Sequence, residues 1–138
     1  PEPPFSTIYF AHVTDEDLPA LGLAGCLDEY NEIRGQNDEA IVYLDSFRRY
    51  QVVIDFLPAE IMSIVIADVA SHELGHLLGL FHTQDNPFDI MSTNDPLSHA
   101  IHFGSQEFAI SNLNEEYSFH IGIQDSPKKL IWTVGERI

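Results

Sequence analysis

The sequence predicts an α+β fold in one domain, and three observations carry that expectation. Short apolar and β-branched runs crowd the first third of the 138 residues. One long segment after residue 58 repeats its apolar positions at helical spacing, and no internal repeat, heptad or low-complexity tract suggests an array or a coiled coil. A hydrophobic content of 44% suffices for one core without disulfide or metal staples, so residues 1–138 are read as a single unit.

Taken in order, Phe5 to Val13 is aromatic and β-branched and runs into the acidic Thr14-Asp15-Glu16-Asp17, the pattern of a strand leaving into a polar loop. Leu21 to Leu27 and Ala40 to Leu44 are further strand candidates; the second is bounded by Asn37-Asp38-Glu39 and Asp45-Ser46. Pro58 suits the first position of a helix, where its missing N–H costs nothing. Ile61, Ile64, Val65, Val69, His72, His76 and Leu77 then recur at steps of three and four. This predicts one helix of about five turns ending near Gly79. A second helix is expected over Gln106 to about Tyr117, capped by Ser105, with Phe108, Ile110, Leu113 and Tyr117 as its buried side. The stretch after Gly122 is assigned to no element.

Six basic residues against 22 acidic ones leave a net charge of −16, which repels phosphates and anionic headgroups. Nucleic acid and membrane surfaces are therefore not expected partners. The longest apolar stretch, Ile61 to Ala70, is about half a bilayer span. A single cysteine, Cys26, rules out an internal disulfide and a cysteine-built zinc cluster, and is expected to be a small buried hydrophobe. The chain opens Pro1-Glu2-Pro3-Pro4 without a basic leader, so it is expected to start where a longer chain was processed or cut.

The chemistry falls at the end of the long helix. His72-Glu73-Leu74-Gly75-His76-Leu77-Leu78-Gly79-Leu80-Phe81-His82 contains H-E-x-x-H and the longer H-E-x-x-H-x-x-G-x-x-H. Residues four apart share a helix face, so the imidazoles of His72 and His76 can reach one ion. Gly79 permits the positive φ that turns the chain sharply, letting His82 approach from another direction. Three neutral nitrogens would hold Zn(II) and leave a fourth position for water. Glu73 points about a quarter-turn round the helix, where its carboxylate can bond that water without ligating the metal. Chance produces the short motif in about one chain in fifty of this length and the long form in about one in twenty thousand. A structural zinc would close with a fourth protein ligand and has no use for an adjacent glutamate.

These residues, followed by Asp89-Ile90-Met91-Ser92, resemble the metzincin clan of zinc peptidases, most closely its matrixin-like families. Met91 lies nine positions after His82 and is similar to the methionine of their Met-turn, which lies beneath the zinc. Upstream, Ser6 to Phe10 resembles the third strand of such a domain, and Leu21, Gly22, Leu23, Ala24 and Gly25 resemble its substrate-binding edge strand. Ala40 to Asp45 resembles the strand before the active-site helix. The resemblance implies a twisted mixed β-sheet packed on a long active-site helix, with a C-terminal helix after the Met-turn. It also implies a secreted zinc endopeptidase with Glu73 as general base, acting on a peptide or protein substrate laid along the edge strand.

The chain departs from the family pattern in four ways. The usual N-terminal strand, helix and second strand are missing ahead of Phe5, so an N-terminal segment or propeptide outside these residues is an expected partner. Thr93 stands where some branches carry a metal-reaching tyrosine, and Pro96 follows Met91 by five positions, later than in matrixins. Cys26 does not match the inhibitory propeptide motif. Two other readings share the motif: a catalytically silent, zinc-stabilised peptide-binding module, and a zinc amidase or exopeptidase. His99 and His102 are a candidate second metal pair on a loop. Asp15/Glu16/Asp17, Asp28/Glu29 and Asp85/Asp89 are candidate calcium carboxylates, although none fits the D-x-[DN]-x-[DN]-G loop.

Overall fold

The computed structural model describes residues 6–13, 20–28, 38–50, 55–84, 86–115 and 121–134. Its first sheet has three strands, β1 (Thr7–Ala11), β2 (Gly22–Ala24) and β3 (Glu39–Tyr43), in the order β1-β3-β2. The central β3 runs parallel to β1 and antiparallel to β2, so the sheet is mixed, with β2 at one edge. Alternation along β3 turns Ala40 and Val42 inward. A 3₁₀ turn over Leu44–Tyr50 follows and buries Phe47.

Helix α1 (Ala59–Leu77) then crosses beneath the sheet, starting one residue after Pro58. Val65 and Val69 from α1 join Val42, Phe47, Leu97 and Ala100 in the main core. Full burial of an aliphatic side chain of this kind is worth about 1.5–3 kcal/mol. The last two core residues come from α2 (Pro96–Phe103). Its first turn is set by Pro96 and by Asp95, whose side chain accepts the Leu97 N–H, and it ends at Gly104 with φ 86°. The candidate pair His99 and His102 therefore lies on a helix and not on a loop.

A second, antiparallel sheet follows the order β4 (Thr83–Gln84), β5 (Ile110–Leu113) and β6 (Ile123–Asp125), and α3 (Ser126–Val134) leads away from it. The helix expected over Gln106 to Tyr117 is thus replaced by a strand. Along β5 the burial alternates with Ser111 and Leu113 inside, while Ile110, expected to be buried, is exposed. Pairing with β4 on one side and β6 on the other satisfies the backbone of β5 while its alternation puts Leu113 against the interior. Tyr117 lies outside the described residues. Helix α3 lies in the stretch the sequence left unassigned, beyond the helix expected over Gln106 to Tyr117. Among the described residues, no helix is long and apolar enough to cross a membrane.

Candidate metal centre

Helix α1 ends in the two bonds of a Schellman cap: Leu80 N–H donates to Gly75 O at 2.8 Å, and Gly79 N–H to His76 O at 2.9 Å, with Gly79 at φ 86°. The turn does more than stop the helix. It carries the Leu80 carbonyl back over His76, whose Nδ1 donates to it at 2.7 Å. His72 Nδ1 donates likewise to the Ile90 carbonyl at 2.7 Å. A carbonyl oxygen only accepts, so both Nδ1 atoms carry the proton and both Nε2 atoms present lone pairs.

Those nitrogens converge. The Nε2 atoms of His72 and His76 lie 3.1 Å apart, those of His76 and His82 3.1 Å, and those of His72 and His82 3.0 Å. Two facing lone pairs at this distance repel unless a cation lies between them. Tetrahedral zinc with nitrogens at about 2.0–2.1 Å holds pairs of ligand atoms about 3.3–3.4 Å apart, within a few tenths of the observed triangle. The donor set therefore fits a zinc-like cation. Burial holds all three imidazoles neutral: His72 is pushed below the usual range, His76 down to about 3 and His82 down to about 4, the last two also by their histidine neighbours.

Glu73 faces the same cleft. It is 7% exposed, and burial pushes its carboxyl up to about 7, against the opposing pull of a hydrogen bond from the Ala24 backbone N–H. That N–H belongs to the open edge of β2. Tyr43 N–H donates to Leu21 O and Gly25 N–H to Glu39 O, so residues 21, 23 and 25 turn their polar backbone toward β3 while Gly22 and Ala24 turn theirs outward. Gly22 also makes room for the glutamate: a Cβ built there falls 2.6 Å from Glu73 Oε1 and 2.7 Å from its Cγ. Leu23 is exposed on this strand, and Gly25 is exposed just beyond it.

Met91 is fully buried with Leu80 and Ile90 in a second apolar cluster, packed by Phe108 and Leu130. Its sulfur occupies the notch left by Gly75, where a Cβ would collide with it. The methionine thus underlies the helix turn that joins His72 to His76.

Two residues that the motif does not contain hold this arrangement. Asp89, wholly buried, accepts the Thr83 hydroxyl at 2.7 Å and the N–H groups of Met91 and Ala109, each at 3.2 Å. It ties together the strand after His82, the Met91 turn and the approach to β5. This corrects its candidacy as a calcium ligand, since its oxygens are spent on protein donors. Gln124 grips Phe81 from β6, accepting its N–H at 2.9 Å and donating to its carbonyl at 3.0 Å. Asn114 N–H donates to His82 O. A buried amide 43 residues from its partner leaves no local sequence signal.

A cavity of about 880 Å³ opens beside the three histidines and Glu73, walled by β2, by Asp68 and Val69 on α1, and by Thr93 to Pro96. Cys26 also lines it and is partly buried. Thr93 accepts a hydrogen bond from Asn114 Nδ2 at 3.3 Å. His99 and His102 do not join the histidine cluster: their Nδ1 atoms donate to the Gly104 and Ser98 carbonyls. His12 pairs with Asp45. Of the candidate calcium carboxylates, Asp15, Glu16, Asp17, Glu29 and Asp85 lie outside the described residues, and Asp28 is buried beside the end of α1. Among the described residues, His72, His76 and His82 are the one group of three or more side chains able to share an ion. Comparison of the chain with known protein families, with curated proteins and with solved structures finds no match.

Proposed function

We propose that the chain is a zinc-dependent endopeptidase of metzincin-like architecture. The observation that carries this reading is the placement of Glu73. A buried, non-ligating carboxylate shares one cleft with three convergent imidazoles and is bonded to the open edge of a strand. A purely structural metal site gains nothing from such a group, whose burial is costly.

His72, His76 and His82 would hold the ion. When bound, zinc acts as a Lewis acid and lowers the pKa of a coordinated water to about 7. The remaining work falls to the chain. The outward N–H and carbonyl of Gly22 and the carbonyl of Ala24 offer hydrogen bonds to an extended peptide, fixing its scissile carbonyl over the histidines. Glu73 accepts a proton from the attacking water as its oxygen bonds to the carbonyl carbon, and delivers that proton to the amine nitrogen as the C–N bond breaks.

The test combines zinc content by mass spectrometry with cleavage of a mixed peptide library with and without chelator. Glu73→Gln is expected to keep stoichiometric zinc and lose at least about 10²-fold in activity. A fully active Glu73→Gln variant overturns the mechanism. Zinc binding without any cleavage favours the silent binding module, and release of single terminal residues favours an exopeptidase.

A further inference from the structure

The cleft contains a carboxylate that the hydrolytic chemistry does not use. Asp68 lies on α1 one turn before His72 and is 5% exposed. Its Oδ2 accepts the Gln106 N–H at 3.1 Å, and among the described residues Oδ1 takes no hydrogen bond. That oxygen is not sealed in the interior, because Asp68 forms part of the cavity wall and Oδ1 is not among the fully enclosed orphan atoms. No lysine or arginine pairs with it among the described residues. Arg49 stands at the exposed rim of the cavity with Nε donating to Ser46 O. Burial pushes the Asp68 carboxyl up, and His99 is the basic group that acts on it from α2, drawing it down. Asp95, a second carboxylate at the mouth, accepts the Tyr50 hydroxyl at 2.7 Å.

A buried carboxylate with one free oxygen is costly unless a donor arrives to meet it. Besides Gln106, which is bonded to Asp68, the cavity wall includes the apolar Val69 and Leu21, which suit a methylene stem. Asp68 lies four residues from His72, about 6 Å along the helix axis. A lysine or arginine side chain spans about that distance from its Cα. The net charge of −16 further favours the approach of cationic peptides.

We propose that this cavity is a specificity pocket for a basic side chain flanking the scissile bond, with Asp68 as its selecting residue and lysine- or arginine-containing peptides as the substrate class. The proposal rests on the peptidase reading above. The ammonium or guanidinium group meets Oδ1 at the pocket floor while its aliphatic stem lies against Val69 and Leu21. Gln106 stays bonded to Oδ2, so the carboxylate is held in place whether or not the pocket is filled.

Binding measured without turnover separates this proposal from the reading it rests on. The probes are the Nα-acetyl hydroxamates of lysine and of norleucine, which differ by the terminal charged group, titrated calorimetrically into zinc-loaded protein. The wild type is expected to bind the lysine probe at least tenfold more tightly. In Asp68→Asn, whose amide oxygen can still accept from Gln106, the ratio is expected to fall to about one while zinc content is unchanged. Equal or tighter binding of norleucine by the wild type overturns the proposal, and this holds even if the variant fails to fold. So does a folded Asp68→Asn variant that keeps the tenfold preference. If neither probe binds zinc-loaded protein, the peptidase reading fails and the proposal fails with it.

Discussion

Gly22 gives the sharpest test of how the cleft is built. A Cβ at this position falls 2.6 Å from Glu73 Oε1, 2.7 Å from Cγ and 3.0 Å from Cδ. Ordinary contact needs about 3.5 Å or more, so the glutamate side chain must retreat by roughly 1 Å. Glu73 lines the cavity, which has room for that retreat, and the bond from the Ala24 N–H that positions it then lengthens. A displacement of that size at a proton-transferring group costs about 10²-fold in rate. Stability moves little, because alanine in a strand restricts the unfolded chain and offsets the local crowding to within about 1 kcal/mol. Gly22→Ala is therefore expected to retain zinc and fold normally, yet lose about 10²-fold in kcat. The assay pairs zinc content and thermal unfolding with steady-state hydrolysis of a peptide cleaved by the wild type. Wild-type kcat in Gly22→Ala would refute the claim that this glycine sets the position of Glu73, and loss of zinc would place its role in the fold.

Two further outcomes follow from the same geometry. In the metal-free protein, Glu73 has a folded-state value raised from 4.5 to about 7. Its contribution to stability is present below pH 4.5 and is lost as pH rises through 7. His76 has the opposite sign: its folded-state value is depressed from 6.5 to about 3, so its contribution is present above pH 6.5 and is lost as pH falls toward 3. Chemical denaturation of the chelated protein is expected to show Glu73→Gln gaining on the wild type above pH 7 and matching it near pH 4; a parallel offset across that range would contradict the assignment. Asp89→Ala strands the Thr83, Met91 and Ala109 donors in the interior and is expected to cost about 3–5 kcal/mol by urea unfolding, with weakened zinc affinity. A loss below 1 kcal/mol would show that Asp89 does not hold the Met91 turn.

The legible parts of the molecule are those whose cause is local. Ile61, Val65 and Val69 announce α1 through i, i+3 and i+4 spacing, and the helix runs from Ala59 to Leu77 as that spacing requires. The apolar runs at 7–11, 22–24 and 39–43 are strands for a similar reason. The stretch from Gln106 to Tyr117 misled because Phe108, Ile110 and Leu113 satisfy helical spacing by coincidence. Tertiary pairing with β4 and β6 decided the matter, burying Ser111 and leaving Ile110 outside. The helix carrying His99 was hidden by its brevity, although Asp95-Pro96 is a sound N-terminal signal.

By itself the sequence determined the histidine spacing, the glutamate beside His72 and the glycine that ends α1, because each acts within one or two helical turns. It could not determine what makes Glu73 a near-neutral acid or what holds His82 and Met91 in place. Those depend on Gly22 yielding space to Glu73, on Asp89 reaching Ala109 and on Gln124 reaching Phe81, contacts between residues 20 to 51 positions apart. Only the folded chain brings such groups together, and only there does burial remove the water that would otherwise decide their charge.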